Sequence, residues 1–154
     1  MTATISPARP NDLPDILALL TASGLPEAGL SEHLATTLVA REDGRIVGCA
    51  AIELYGATAL LRSVAVDASR RGQGLGQRLT ATALELAGRR GAWTVYLLTE
   101  SAEAFFPRFG FRPIPGSEVE PAVQRSVEFT SACPASAQAM VTTLPQVGGE
   151  GRDP

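Results

Sequence analysis

The chain has 154 residues, 45% of them hydrophobic, and a formal net charge of −3 at pH 7. This length suits a single domain, and the mildly acidic balance argues against a general nucleic-acid-binding or membrane-binding surface. Cys49 and Cys133 form neither a disulfide framework nor a metal-ligand spacing, and the first ten residues lack the apolar core of a signal peptide. We therefore expect a cytoplasmic protein without a metal site.

The N-terminal part of the chain predicts a strand, a helix and a loop. Residues 2–6 are typical of a short strand. Asn11 or Asp12 predicts the N-cap of a helix whose leucine and isoleucine residues recur at helical spacing, and Gly24 ends it. Residues 25–31 form the loop that follows, and a short helix is expected after it.

Three strands are predicted next. Two of them have the apolar patterns of strands and cover residues 37–41 and Arg45–Tyr55. The dipeptide Asp43-Gly44 between them is typical of a two-residue hairpin turn. Gly56 and Ala57 then turn the chain into the strand Thr58–Val66.

The remainder of the chain predicts a further series of elements. They are a helix over residues 75–90, a strand over 93–99, a helix over 101–108 that breaks near Pro107, a short strand toward Ile114, an amphipathic segment from Pro121, a strand-like stretch over 135–144 and a polar tail over 145–154.

A glycine-rich turn over residues 71–76 lies between the predicted strand Thr58–Val66 and the next helix. The free N–H groups and positive dipole of a helix N-terminus favour an anion, and nearby arginines add charge, so a phosphorylated ligand is expected. The turn lacks the Gly-Lys-Ser/Thr ending of a P-loop. It also fails the dinucleotide fingerprint, because the third glycine is Gly76 and not residue 77.

The spacing Arg71-x-x-Gly74-x-Gly76, preceded by SVAVD and followed by an amphipathic helix, resembles the acyl-CoA pyrophosphate loop of the GNAT superfamily of N-acetyltransferases. The resemblance implies an α/β fold in one domain over residues 1–144, with a mixed central sheet of about six or seven strands and about four helices. The tail over residues 145–154 is expected to be disordered.

Three stretches, ELYG, YLLTESAEAFFPRFGF and SVEFTSACPASAQAM, further resemble the arsenic-resistance N-acetyltransferase subgroup, kin of the acetyltransferase domains of N-acetylglutamate synthase. This resemblance implies that the segment between the first two strands lines the acceptor site.

The superfamily resemblance implies acetyl-CoA as the cofactor and assigns residues to it. Val64, Ala65 and Val66 would meet the acetyl and pantetheine groups, and Phe105 would lie beside the pantetheine arm. The residues expected around the pyrophosphate are Arg71, Gly72, Gln73, Gly74, Leu75, Gly76 and Gln77. Many members carry a tyrosine that protonates the leaving thiolate. Phe106 stands at that position here, so the role is empty or falls to water or another side chain.

Glu53 is the candidate general base, because it interrupts a strand of apolar residues, where a carboxylate is costly unless it is used or paired. It could instead bind the substrate ammonium, position a water or form a structural ion pair with Arg62, which would make it a weaker base. Arg62 could alternatively grip a substrate carboxylate. Tyr55, on the same face as Glu53, is expected either in the pocket or at the edge of the core.

Other polar residues have weaker claims. Thr99 and Glu100 end the strand expected beside the cofactor and are candidates for substrate contact, with helix capping as the alternative. His33 is the sole histidine, and a solvated position is expected for it. Cys133 could suggest an arsenic ligand, but a single thiol is a poor trivalent-arsenic site, and we expect it to pack as a small hydrophobe.

These observations predict an acetyl-CoA-dependent N-acetyltransferase that acts on a small amino-acid-like amine, with a role in arsenic resistance implied by resemblance. The alternatives are an amino-acid N-acetyltransferase of the N-acetylglutamate synthase type and an acyl-CoA-binding sensor without turnover. Acetylation of protein N-termini or lysines is disfavoured. No nucleic-acid or membrane partner is expected, and the late strand is a plausible pairing edge for a homodimer.

Overall fold

The computed structural model describes residues 3–132 and 136–145. Its strands are β1 Thr4–Pro7, β2 Thr37–Glu42, β3 Arg45–Tyr55, β4 Thr58–Val66, β5 Thr94–Thr99, β6 Arg112–Ile114 and β7 Gln138–Thr143. The α-helices are α1 Leu13–Ala22, α2 Leu75–Arg89 and the four-residue α3 Pro121–Gln124, and the longest 3-10 segment is Leu30–Thr36.

The strands form one mixed sheet in the order β1-β2-β3-β4-β5-β7-β6. The pairings of β1 with β2, β2 with β3, β5 with β7 and β6 with β7 are antiparallel, and β4 runs parallel to β5. The predicted α/β class with a mixed sheet of about seven strands is confirmed.

Most element boundaries lie within two residues of those predicted, because turn chemistry fixes them. Asp43 and Gly44 both have positive φ, 52° and 78°, as a type I′ hairpin turn between β2 and β3 requires. The helix α2 ends at Arg89, and Gly91 with a φ of 94° follows it.

The helix predicted over residues 101–108 is wrong. The chain forms turns there and a short 3-10 segment, Phe106–Phe109, which Gly110 ends with a φ of 89°. Pro107 has no N–H to donate, so a longer helical ladder cannot form across it. The predictions for Cys133 and for the tail from residue 146 onward lie outside the described residues, and β7 begins at Gln138, three residues after the predicted start.

Contacts divide the chain into two compact units, Met1–Glu53 with Leu61–Ala83 and Leu54–Leu60 with Leu84–Pro154. In the first unit, α1 and β2–β4 share an apolar cluster. It contains Ile16, Leu19, Leu20, Leu30, Val39, Ile46, Cys49, Ala51 and Ala65. In the second unit, β5 and β7 contribute to another cluster, made of Leu60, Tyr96, Ile114, Val119, Val123, Ala139 and Val141.

Gly48 in β3 allows a close approach within the first unit. A Cβ there would lie 2.8 Å from Leu79 Cδ1 and 3.2 Å from the carbonyl oxygen of Ala65. Because real Cβ atoms essentially never come so close, Gly48 lets the start of α2 pack directly on β3. The position of α2 in turn fixes where the glycine-rich turn ends.

Among residues 3–132 and 136–145, no helix has the length and apolar character needed to cross a membrane.

Asp12 fixes the entry to α1. Its Oδ2 accepts a 2.6 Å hydrogen bond from Arg41 Nη2 on β2 and a 2.7 Å bond from the Arg9 backbone N–H. The bond from Arg41 lowers the pKa of Asp12, the Arg9 N–H lowers it further, and burial opposes them. Asp12 therefore joins the start of α1 to the second strand of the sheet.

We predict that Asp12→Asn lowers the free energy of unfolding by about 1–3 kcal/mol at pH 7. Since the folded-state pKa is depressed, this stabilisation is present above the unfolded pKa of about 3.9 and is lost as pH falls through the folded value. Urea unfolding from pH 7 to 3 should therefore show the two proteins converging in acid. Asp15→Asn, the same change at an exposed position of α1, is the control and should change stability by less than about 1 kcal/mol. A constant difference across the pH range would contradict the assignment.

Candidate functional site

The glycine-rich turn has the backbone of an anion site. Gly72 and Gly74 have φ values of 80° and 82°, and α2 begins directly afterwards at buried Leu75. No atom lies within 4 Å of a Cβ built on either glycine, so glycine is needed for the backbone conformation and not for space. Residues 71–74 are exposed. The first N–H groups of α2 therefore open onto a turn that a ligand can reach.

The two arginines beside the turn are used differently. Arg71 is exposed, and its Nε donates a 3.1 Å hydrogen bond to the carbonyl oxygen of Val66, which ties the turn to the end of β4. Arg70 instead forms an ion pair with Glu42 of β2. The expectation that both arginines serve a bound anion is therefore corrected, and Arg71 is the one exposed at the turn.

The end of β4 is held by Asp67. Its carboxylate accepts a 3.0 Å hydrogen bond from the Ser69 backbone N–H, and its own N–H donates to the carbonyl oxygen of Val47 on β3 at 2.8 Å. Hydrogen bonds from Ser69 lower the pKa of Asp67. These bonds fix the path of the chain from β4 into the turn.

A backbone irregularity precedes the predicted acetyl-contacting residues of β4. Ser63 has a φ of 61°, which is unusual for a residue other than glycine, and its carbonyl oxygen accepts a 3.2 Å hydrogen bond from the Cys49 thiol. Ala65 is buried beyond it, whereas Val64 and Val66 are half-buried. The strand therefore changes direction just before the N–H groups that could polarise a thioester carbonyl.

Glu53 and Arg62 form a buried ion pair. Arg62 Nη1 donates to Glu53 Oε2 at 2.8 Å, and the two side chains are only 0% and 1% exposed. Arg62 also donates from Nε to Ser63 Oγ at 3.1 Å and from Nη2 to the carbonyl oxygen of Pro26 at 3.3 Å. The guanidinium is thus held from three sides and joins β3 and β4 to the loop after α1.

His33 adjoins this pair, which the sequence analysis did not foresee. Its Nε2 lies 3.7 Å from Glu53 Oε2, and its side chain is 25% exposed. The backbone at His33 leaves the helical region, with φ −119° and ψ 21°, and its carbonyl oxygen accepts a 2.9 Å bond from Thr37 Oγ1. The sequence signal was the position of the sole histidine in the segment that the resemblance assigns to the acceptor.

The remaining predicted residues lie in the second unit. Tyr55 is half-buried against the apolar cluster of that unit, and Glu100 is exposed. Thr99 Oγ1 accepts a 3.0 Å bond from the Ala102 N–H, so Thr99 caps the turn, which is the alternative expected for it. Their contact with substrate stays a prediction.

The sequence resemblance aligns Phe106 with the tyrosine of many superfamily members. Phe106 is buried, with its ring 5.0 Å from that of Phe105 and 5.8 Å from that of Phe111, both edge-on. Phe105 is half-buried, and the Arg108 guanidinium lies 4.7 Å above its ring. Phe106 therefore has a packing role and no proton to donate.

Ser126 and Glu128, after α3, are buried polar residues that the sequence did not predict as buried. Ser126 Oγ accepts a 3.1 Å hydrogen bond from the Glu128 backbone N–H, and both side chains are buried. The available signal was a glutamate set between Val127 and Phe129, the same pattern that singled out Glu53.

Within the described ranges, no three or more His, Cys, Asp or Glu side chains are grouped so that they could hold a metal ion.

A model of the acetyltransferase (GNAT) domain matches residues 33–113, which is just over half of the chain. The chain belongs to the GNAT acetyltransferase family. The match includes His33, the buried Glu53–Arg62 pair, β4 and the glycine-rich turn.

Curated relatives match about half of the chain. An uncharacterised N-acetyltransferase of Chlorobaculum tepidum is 34% identical over 84 residues, which are 54% of this chain and 54% of that protein. An amino-acid acetyltransferase of Mycobacterium tuberculosis is 36% identical over 77 residues, which are 49% of this chain and 44% of that protein. The chain spans about half the length of the curated relatives it matches.

Solved GNAT structures share the fold. A Mycobacterium tuberculosis protein in complex with CoA and the ligand NLQ superposes with a TM-score of 0.78 at 26% identity, covering 92% of this chain and 99% of that one. N-acetylglutamate synthase from Neisseria gonorrhoeae, in complex with CoA and N-acetyl-glutamate, has a TM-score of 0.80 at 21% identity, covering 95% of this chain and 36% of that one.

Cys49 is expected to be chemically inert in the folded protein. It is fully buried, and burial raises the pKa of its thiol to about 12. In a Cys133→Ser variant, which leaves Cys49 as the one thiol, an aromatic disulfide reagent at pH 8 should react only after denaturant is added, because the thiolate is the reactive form. Complete reaction within minutes under native conditions would contradict the burial of Cys49.

Proposed function

We propose that this GNAT family member is an acetyl-CoA-dependent N-acetyltransferase that acts on the amine of a small amino-acid-like substrate. The observation that carries the proposal is the exposed turn at the start of α2, with Gly72 and Gly74 at positive φ and Arg71 at its edge. An acyl-CoA presents a pyrophosphate, which is the charge that such a helix N-terminus favours.

The proposed cofactor residues lie in the glycine-rich turn, at the end of β4 and at Phe105. The N–H groups of residues 72–77 and the Arg71 guanidinium would hold the pyrophosphate. Val64, Ala65 and Val66 would meet the pantetheine and acetyl groups along β4, and Phe105 would contribute apolar surface to the pantetheine arm. The Arg71–Val66 hydrogen bond supports this arrangement, since it links the two proposed binding segments.

Transfer of an acetyl group to an amine requires a polarised thioester carbonyl and an amine without its extra proton. A backbone N–H aimed at the developing oxyanion contributes about 3 kcal/mol in analogous acyl-transfer sites. Residues 64–66 follow the irregularity at Ser63, and a backbone N–H of this segment would take that role. Holding amine and thioester in attack geometry supplies a further contribution, about 7–11 kcal/mol at best.

The buried Glu53–Arg62 pair is the proposed charged centre of the acceptor side. Its hydrogen bond argues against Glu53 as the direct base, because a carboxylate held by a guanidinium has less affinity for a proton. It also argues against Arg62 as a free clamp for a substrate carboxylate, since Pro26 and Ser63 already engage its other nitrogens. We assign the pair an electrostatic and positioning role.

An amino-acid-like acceptor is supported by the relatives, one of which is named as an amino-acid acetyltransferase. The arsenic-resistance role rests on the sequence resemblance alone. A direct thiolate–arsenic contact gains no support from Cys49, whose pKa is raised to about 12 by burial. We therefore propose acetylation of an arsenic-containing amino acid as a special case within the amino-acid class, without a protein-held arsenic. Homodimerisation and a cytoplasmic location stay predictions from the sequence.

One observation favours a second function, that of an acyl-CoA-binding sensor. Phe106 occupies the usual position of the proton-donating tyrosine and is locked in the aromatic cluster. A chain without a proton donor for the thiolate could bind acyl-CoA and release it unchanged.

The experiment that separates the two functions measures free thiol after acetyl-CoA is mixed with the protein and an amine. The amines are the standard amino acids, arsenic-containing amino acids and a lysine-containing peptide, with an amine-free control. We expect thiol release and an N-acetylated product with one or more free amino acids and not with the peptide. Tight binding of acetyl-CoA without thiol release from any amine would establish the sensor instead.

Arg71→Gln should weaken acetyl-CoA binding about 10- to 150-fold, because a charge-assisted contact to the pyrophosphate is worth about 1.5–3 kcal/mol. Isothermal titration at low and high salt measures this, and the difference between variant and parent should shrink as salt screens the charge. Arg89→Gln at the opposite end of α2 is the matched control and should bind like the parent. Equal affinity of Arg71→Gln and the parent would remove Arg71 from the cofactor site.

A further inference from the structure

His33, Glu53 and Arg62 form one contiguous polar group that runs from solvent to the interior of the first unit. The exposed fraction of the side chain falls from 25% at His33 to 1% at Glu53 and 0% at Arg62. His33 and Arg62 both approach the same atom, Glu53 Oε2, at 3.7 Å and 2.8 Å. A carboxylate that is fixed by a guanidinium on one side and faces an imidazole on the other is suited to orient that imidazole.

We propose that His33 is the general base of the acetyl transfer and that Glu53 is its positioning residue, held ionised and in place by Arg62. This inference rests on the proposed function. The sequence made Glu53 the candidate base. His33 is the better candidate because its side chain is more exposed to solvent and no guanidinium is bonded to it.

Nε2 is the ring nitrogen that lies 3.7 Å from Glu53 Oε2. The proposed role therefore places the proton of the neutral imidazole on Nε2 and the lone pair on Nδ1. The 3.7 Å separation exceeds a hydrogen bond and must close by about 0.5 Å or more, as is common when catalytic contacts tighten on substrate binding. The His33 backbone is anchored for this, since its carbonyl oxygen accepts a 2.9 Å bond from Thr37 Oγ1.

During acetyl transfer, the substrate ammonium gives one proton to Nδ1 of His33 as the amine attacks the thioester carbon. The carbon–sulfur bond breaks, the CoA thiolate leaves, and the second amine proton passes to the thiolate through water. The imidazolium, stabilised by ionised Glu53, then releases its proton to solvent through its exposed edge. The net reaction converts ammonium and thioester into amide, thiol and one proton.

The charged groups near His33 lie on two strands. They are Glu53 on β3 and, through it, Arg62 on β4, whereas Glu32 precedes His33 on its own 3-10 segment and is exposed. Protonated His33 cannot accept the amine proton, so turnover should fall in acid. The ionisation of the substrate amine affects the rates of variant and parent equally. It therefore cancels when the rate of the variant is divided by that of the parent at the same pH.

The kinetic test compares His33→Gln with the parent and with Glu32→Gln. We expect His33→Gln to lower kcat about 100-fold near pH 8, to leave the affinity for acetyl-CoA unchanged and to lose the acid limb of the pH profile. Glu32→Gln should keep both the rate and the limb. Glu53→Gln should lower kcat as well, and the double variant should be no slower than His33→Gln, because the two residues act as a unit.

Two results would overturn the inference while leaving the proposed function intact. One is a His33→Gln protein with the rate and pH profile of the parent. The other is a Glu53→Gln protein that is far slower than His33→Gln, which would return the base to Glu53. Free imidazole should raise the turnover of His33→Ala at least severalfold, and its failure to do so would also count against His33 as the base.

A second test needs no turnover and therefore separates this inference from the proposed function. Since His33 is the sole histidine, its imidazole signals in a nuclear magnetic resonance spectrum need no assignment. In the parent, the nitrogen signals should be those of a ring protonated on Nε2, because Glu53 faces that nitrogen. In Glu53→Gln they should move toward those of a mixture of the two tautomers, and in Glu53→Asp they should move less. Identical imidazole spectra in parent and Glu53→Gln would refute the coupling, whatever the enzyme assay shows.

Discussion

The buried ion pair between Glu53 and Arg62 is the interaction on which the candidate site depends. Two charges that are almost fully removed from water lose several kcal/mol each in hydration, and the attraction between them rarely returns more than that. A pair of apolar side chains would fill the same space at less cost. The charges are better explained by a function, and His33 at the solvent side of Glu53 supplies a reason for keeping them.

The same pair organises the surrounding backbone. Arg62 reaches Ser63 and the carbonyl oxygen of Pro26, so the guanidinium connects the irregularity in β4 with the loop after α1. The segment proposed to meet the thioester begins directly after Ser63, at Val64. The acceptor charges and the proposed oxyanion donors are therefore adjacent in sequence and share one structural support, which is the kind of preorganisation that acyl transfer needs.

The fold was largely predictable from the sequence, because local chemistry determines its boundaries. Asp43-Gly44 favours a tight hairpin, and Gly72 and Gly74, both at positive φ, form the turn before α2. The helix predicted near Pro107 failed because a short 3-10 segment and a true helix share the same apolar spacing over one turn. Local pattern cannot separate the two where a proline removes a backbone donor.

The site was predictable in part. An ion pair between Glu53 and Arg62 is one of the alternatives that the sequence leaves open. Which alternative holds depends on burial and on Pro26, which is distant in sequence. His33 was judged solvated because nothing local relates it to β3. Its proximity to Glu53 depends on the way residues 30–36 pack on the sheet, and a sequence pattern carries no information about that contact.

The most direct measurement is made on the double variant Glu53→Met with Arg62→Met, in which two apolar side chains of similar length replace the pair. If the charges serve the chemistry, the free energy of unfolding should stay within about 2 kcal/mol of the parent or rise, acetyl-CoA should still bind, and acetyl transfer should be lost. A double variant that transfers acetyl groups at the rate of the parent, or one that loses several kcal/mol of stability, would contradict the account.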